Sequence, residues 1–242
     1  MTKSLVIIPT YNEKENISKI IDAVFSLTVP FHILIVDDGS PDGTAEIVKK
    51  RAKVDSHRLF ILERKGKQGL GTAYIAGFRW GLQHNYDYLF EMDADFSHNP
   101  ADLIRLHTAL DSEGYDVVVG SRYCKGGKVK NWPWDRILLS YGASLYTRMI
   151  TLMPVKDPTA GFIGYRNRVL TAIPLHKIKF VGYAFQIEMK FSAYTRNFRI
   201  KEVPITFVDR IEGVSKLSSG IIHEAVFGVL KMRWKSILSQ YP

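Results

Sequence analysis

Two aspartates, Asp93 and Asp95 in Met92-Asp93-Ala94-Asp95, close a short apolar run and form the sharpest chemical feature of the chain. Carboxylate oxygens are hard ligands. A D-x-D turn lets either reach Mg²⁺ or Mn²⁺, ions that keep waters and take substrate phosphates as further ligands. Taken alone, the triplet equally suits a helix-capping loop, where Asp is common. Two further acidic loops shift the balance toward a metal: Pro9-Thr10-Tyr11-Asn12-Glu13 and Asp37-Asp38-Gly39-Ser40-Pro41-Asp42-Gly43-Thr44. Gathered together, Glu13, Asp38, Asp93 and Asp95 would repel one another unless a cation or hydrogen-bond donors compensated. Of Asp37 and Asp38, one is expected to be structural and Asp38 to accept hydrogen bonds from a ribose or base. Gly66-Lys67-Gln68-Gly69-Leu70-Gly71 matches neither glycine-rich phosphate template and reads as a tight helix entry.

These loops meet only if the elements between them bring them to one edge. Apolar runs at 5–8, 33–36, 59–62, 88–92 and 117–119 read as strands, separated by helical patterns near 17–24, 42–53, 69–84 and from Pro100. Strands that are apolar throughout are buried on both faces, which predicts an α/β fold with a central, mostly parallel sheet flanked by helices. In such sheets ligands bind at the carboxyl ends of the strands, where all three acidic loops fall. The second half is less regular, with helices expected near 135–153, 185–194 and 221–238. Strands are expected at 162–165 and 200–205, the latter broken by Pro204. No repeat, low-complexity tract or linker divides 1–242, so one domain is expected.

Composition narrows the function class. The 242 residues are 46% hydrophobic and 24% charged, ordinary for a globular chain and not for a disordered one. The one cysteine, Cys124, excludes an internal disulfide framework and a multi-cysteine zinc site, and points to a reducing compartment. The net charge of +9 could serve nucleic acid, anionic lipid or phosphorylated substrates. With no aromatic RNA-binding motif, zinc module or basic arm, nucleic acid is not expected as a partner. No apolar run reaches the roughly 20 residues of a membrane span, and the N-terminus lacks a signal-peptide pattern.

The ordered set of loops resembles family 2 glycosyltransferases of the GT-A nucleotide-sugar fold. It is carried by Pro9 to Glu13, Val36-Asp37-Asp38-Gly39-Ser40, Lys67 to Gly71 and Met92 to Asp95. Within that family it is similar to the polyprenyl (dolichyl) phosphate mannosyltransferases. That likeness is carried by Gly120-Ser121-Arg122, Asn131-Trp132-Pro133-Trp134, Gly182-Tyr183-Ala184-Phe185-Gln186 and Arg210-Ile211-Glu212-Gly213-Val214-Ser215-Lys216. The resemblance implies a nucleotide-sugar half at about 1–122 and an acceptor half at about 123–242. It implies that Pro9, Tyr11, Glu13, Val36 and Asp38 hold the nucleoside. Asp93 and Asp95, with the backbone at Ala94, would meet the metal (Mg²⁺ or Mn²⁺) and the donor diphosphate. Asp95, Arg122, Arg210 and Lys216 would carry catalysis, the three basic residues facing the sugar phosphate. The implied donor is GDP-mannose and the implied acceptor polyprenyl or dolichyl phosphate. Some relatives carry Gln two residues after the second Asp, where this chain has Ser97. Others append membrane helices, whereas this sequence stops at Pro242 and resembles the short form, which leaves room for a separate anchoring subunit.

A phosphate acceptor makes chemical sense of the residues. A phosphate monoester has its second pKa at about 6 and is ionised at neutral pH, so no protein base need activate it. Direct displacement with inversion is expected. Were the acceptor a hydroxyl, Glu188 would be the candidate base, and otherwise it is a structural carboxylate. A helix-entry role is expected for His98. A related transferase using a uridine sugar such as UDP-glucose, or a hydroxyl acceptor, is the alternative, and a non-catalytic nucleotide-sugar binder is a second. The last helix, with Ile222, Val226, Leu230 and Trp234 beside Lys231 and Lys235, suits either a membrane interface or docking on the core. The helix after Trp134 is a second candidate surface, and the expected location is the cytoplasmic face of a membrane, as a peripheral protein.

Overall fold

The computed structural model describes residues 2–209 and 219–238. The first half follows the expected alternation: β1 (Ser4–Thr10), α1 (Ile17–Phe25), β2 (His32–Asp37), α2 (Thr44–Val54), β3 (Leu59–Glu63), α3 (Leu70–Gln83), β4 (Tyr88–Glu91), α4 (Asp102–Asp111) and β5 (Val117–Ser121). Then come β6 (Lys128–Lys130), α5 (Trp134–Thr151), β7 (Ile163–Arg166), α6 (Asn167–Ala172), α7 (Tyr183–Tyr194), β8 (Ile200–Pro204), β9 (Thr206–Val208) and α8 (Ser219–Ile237). The main sheet has seven strands in the order β3-β2-β1-β4-β7-β5-β8.

Period-two alternation explains how the strands bury both faces. In β1, Val6 and Ile8 join α1, α2 and α4 in one core, while Leu5 and Ile7 join α3, α6 and α7 in the other. All four are fully buried, which is why β1 reads as unbroken apolar sequence. The helix-to-sheet contact is close enough to require glycine. A Cβ on Gly77 of α3 would stand 2.5 Å from Ile7 Cγ2, and one on Gly81 2.4 Å from Leu89 Cδ2.

Two features depart from the expected sheet. β7 runs antiparallel to both neighbours, β4 and β5, although the other pairings in this sheet are parallel. Gly164 lies opposite Phe90, and a Cβ there would stand 2.7 Å from the Phe90 ring, so the glycine admits the aromatic side chain. The expected strand at 200–205 is β8, ending at Pro204, but a further strand, β9, follows it and pairs β6 in a small parallel ladder.

The order 3-2-1-4 reverses direction at β1, with β2 on one side and β4 on the other. Crevices at such a switch point are where α/β sheets bind ligands. Pro9 is level with Val36 and Thr10 with Asp37, so the loops after β1 and β2 leave the sheet together.

Candidate active site

Backbone-to-side-chain bonds knit the first two acidic loops. Asn12 N donates to Ser40 Oγ (3.0 Å), Glu13 N to Thr44 Oγ1 (3.1 Å) and Lys14 N to Asp42 Oδ2 (3.1 Å). Asp37 is the structural member of its pair: its carboxylate accepts from Thr10 Oγ1 (2.9 Å), Ser40 N (2.9 Å) and Ser40 Oγ (2.6 Å). Asp38 is placed differently. Its side chain is 9% exposed and Arg64 Nε lies 3.3 Å from Oδ1, yet that oxygen accepts no hydrogen bond among the described residues. Burial raises the Asp38 pKa, against the opposing charge of Arg64. A buried acceptor of this kind suits a ligand hydroxyl or amine. Lys67, from the loop after β3, sits 5.1 Å from the ring centroid of the partly exposed Tyr11. Val36 is fully buried, so only its backbone could face a ligand.

Across the switch point, β4 ends at Glu91 and the chain turns through Asp93, Ala94 and Asp95. Ser97 fixes this turn, donating its hydroxyl (2.6 Å) and backbone N–H (3.0 Å) to Asp95 Oδ1. Ser97 therefore orients Asp95, where some relatives have Gln. Asp93 Oδ1 accepts from the buried Tyr74 hydroxyl at 3.4 Å, and His98 Nδ1 lies 3.9 Å from Asp93 Oδ2. His98 is a core side chain, well before α4 begins: it stacks on Phe162 (4.9 Å) and meets Phe207 edge-on (5.3 Å). Burial pushes its pKa down to about 4, opposed by the Asp95 charge.

The donor set fits a hard divalent cation. Asp93 and Asp95 are both partly exposed at one turn, and Mg²⁺-type sites commonly use one or two carboxylates, the rest being water and substrate phosphate. No group of three His, Cys, Asp or Glu ligands occurs among the described residues.

Arg122 is placed beside this loop but already engaged. Its Nε and Nη2 donate to Asp157 Oδ2 and Oδ1, each at 2.7 Å, and its backbone N–H to Oδ2 at 2.9 Å. Nη2 also reaches Thr159 Oγ1 (2.8 Å), and the guanidinium lies 5.2–5.6 Å from the rings of Tyr123, Trp132 and Phe207. Asp157 was not expected from the sequence. Nor was Lys190 of α7, whose fully buried ammonium donates to Ala160 O (2.7 Å) and Gln186 O (3.0 Å). Gln186 in turn donates to Glu91, at the strand end that precedes the Asp93–Asp95 turn. Burial raises the Glu91 pKa and lowers that of Lys190, each opposed by the other's charge. A signal existed: α7 is buried yet places Gln186, Glu188 and Lys190 among its apolar residues.

Glu188 is buried and accepts from the Lys179 and Phe180 amides at 2.9 and 3.1 Å. This bonding makes it a poor general base. The Gly69–Gly71 segment does open α3: Gly69 has φ +98°, and a Cβ on Gly71 would stand 2.7 Å from the Phe185 ring. Arg210 and Lys216 lie outside the described residues, although Arg136 Nη1 holds Asp209, just before them, at 3.0 Å from both carboxylate oxygens.

The glycosyl transferase family 2 model matches residues 5–173. Polyprenol monophosphomannose synthase of Mycolicibacterium smegmatis is 48% identical over 227 residues, 94% of this chain and 85% of that protein. Undecaprenyl-phosphate mannosyltransferase of Micrococcus luteus is 46% identical over 237 residues, 96% of each. Among solved structures, glucosyl-3-phosphoglycerate synthase from Mycobacterium tuberculosis with Mn²⁺, UDP-glucose and phosphoglyceric acid superposes with a TM-score of 0.67. It is 18% identical and aligns over 96% of this chain and 79% of that one, a likeness of fold. Together with its three loops at one sheet edge, these matches establish that the chain belongs to glycosyl transferase family 2.

Proposed function

We propose that this enzyme transfers mannose from GDP-mannose to a polyprenyl, dolichyl-type phosphate with inversion at the sugar carbon. The observation that carries the proposal is the Asp93–Asp95 turn standing across the switch point from Asp38 and the Tyr11–Glu13 loop. The names of the M. smegmatis and M. luteus relatives support a polyprenyl phosphate mannosyl product, and the motif resemblance supports the guanine donor. Pro9, Tyr11, Glu13, Asp38 and the backbone at Val36 hold the nucleoside. Asp93 and Asp95, with the backbone at Ala94, are the residues that would hold Mg²⁺ or Mn²⁺. When bound, the ion would neutralise charge growing on the departing nucleoside diphosphate.

An acceptor phosphate oxygen forms the new bond to the sugar carbon as the bond to the diphosphate oxygen breaks. The acceptor is already ionised, so no proton needs to move and no protein base is required. The amide-bonded, buried Glu188 agrees with this. Arg210 and Lys216 screen the approach of one anion to another. Arg122 acts through Asp157 and its aromatic surround, holding the wall beside the metal loop.

The acceptor is borne by lipid, so the enzyme works at a membrane surface. No helix among the described residues is long and apolar enough to cross a membrane. Contacts between α5 and α8 place them side by side, and between them they expose Trp134, Leu138, Met149, Phe227 and Trp234. That face supports a peripheral position, which we place on the cytoplasmic side. A donor panel tests the substrate: turnover with GDP-mannose and none with UDP-glucose or UDP-mannose is expected, and the reverse would remove the guanine assignment.

A further inference from the structure

The helix α8 carries two apolar faces. Val229 and Met232 are buried against α7 and α5, while Phe227 (66% exposed), Leu230 (44%) and Trp234 (66%) form a second stripe facing away. Lys231 and Lys235, four residues apart, follow that stripe on one flank. Both line a cleft together with Lys177, Lys179, Phe180 and the buried Glu188.

Among the described residues no carboxylate lies within 4.0 Å of any of these four ammonium groups. Glu188, the acid in the cleft, accepts from the Lys179 and Phe180 amides through Oε2, and its charge offsets part of that of Lys179 and Lys235. Repulsion from Lys179, then desolvation and Lys231, holds the Lys235 ammonium below the usual lysine range. Four lysines against one carboxylate leave the cleft with surplus positive charge, which favours a further anion. The neighbouring exposed aromatic and aliphatic side chains select among anions, because a free phosphate or a nucleic acid would leave them in water. A lipid headgroup brings its acyl chains with it.

We propose that the cleft lined by Lys177, Lys179, Lys231 and Lys235 binds anionic phospholipid headgroups and so fixes how the α5–α8 face lies on a membrane. This rests on the reading that the chain meets a membrane-borne acceptor. Juxtamembrane lysines act within a Debye length of the surface, so binding falls as salt rises.

Vesicle co-sedimentation of the full chain tests it, using phosphatidylcholine vesicles with and without phosphatidylglycerol. Binding is expected to require phosphatidylglycerol and to weaken about fivefold for each lysine removed, hence about 25-fold in Lys231→Ala/Lys235→Ala. The Lys231→Arg/Lys235→Arg variant should bind as the wild type does, and unchanged melting temperatures would exclude misfolding. Equal binding to both vesicle types, or a double alanine variant that sediments like the wild type, would overturn the proposal. Release by inorganic phosphate at matched phosphate concentration would also overturn it, making the cleft a free-phosphate site. The vesicles hold neither donor nor polyprenyl phosphate, so a failed transfer assay would not touch this result.

Discussion

Replacing Asp157 by Asn removes the charge on which Arg122 depends, while nearly preserving shape. Side-chain exposure is 0% at Asp157 and 10% at Arg122, so water cannot replace the lost partner. Two guanidinium bonds of 2.7 Å and one backbone bond of 2.9 Å end on that carboxylate, and an amide would set its own N–H groups against donors. Breaking one side of a buried ion pair costs about 3–5 kcal/mol. At about 2–4 °C per kcal/mol for a chain of this size, the midpoint should fall by roughly 6–20 °C. Urea unfolding checks the free energy, with an unchanged slope against denaturant showing that the same surface unfolds. Arg122→Met should cost a similar amount, and the double variant about 1 kcal/mol or more less than the sum. The pH dependence follows from the same pair. Burial disfavours the Asp157 charge, but Arg122 outweighs it and holds the carboxyl below its usual range. The unfolded chain therefore binds the proton first. The contribution is complete above about pH 4 and is lost as pH falls through the lower folded value, a loss that Asp157→Asn should not show. A cost below about 1 kcal/mol would refute the reasoning: Arg122 would then be solvated and available to substrate.

The Asp93–Asp95 turn gives a graded pair of outcomes. Asp95→Ala should abolish transfer in a folded protein, whereas Ser97→Ala, which removes the 2.6 Å bond to Asp95, should lower kcat about tenfold with little change in melting temperature. Gly77→Ala drives a methyl to 2.5 Å from Ile7 and should cost about 1–3 kcal/mol, read by the same unfolding assay. Arg210→Ala should reduce transfer more than donor binding measured by calorimetry. Equal losses would make Arg210 a donor contact.

Much of the first half of the chain was legible because its central strands are buried on both faces and end in loops of distinctive composition. Leu5 to Ile8 and Ile33 to Val36 are apolar on both faces, and Asp37 and Asp38 separate into a turn residue and a buried acceptor. The direction of β7 was not legible, since a four-residue strand carries no mark of its polarity and Gly164 earns its place only opposite Phe90. The Arg122–Asp157 pair spans 35 residues and joins two loops, so no local spacing announces it. The last helix posed a choice between core and membrane, and its described side chains show one buried face and one exposed face. Val229 and Met232 are buried, while Leu230 and Trp234 are exposed; the side chains of Ile222 and Val226 lie outside those described. Likewise His98, expected at a helix entry, is held by two aromatic rings distant in sequence, Phe162 just before β7 and Phe207 in β9.

The central claim is tested most directly by incubating the protein with radiolabelled GDP-mannose, Mg²⁺ or Mn²⁺ and polyprenyl phosphate in detergent, then extracting the lipid. The account predicts label in the lipid fraction, lost on adding EDTA and absent in Asp95→Ala. Label transferred equally well with EDTA present, or by Asp95→Ala, would contradict it.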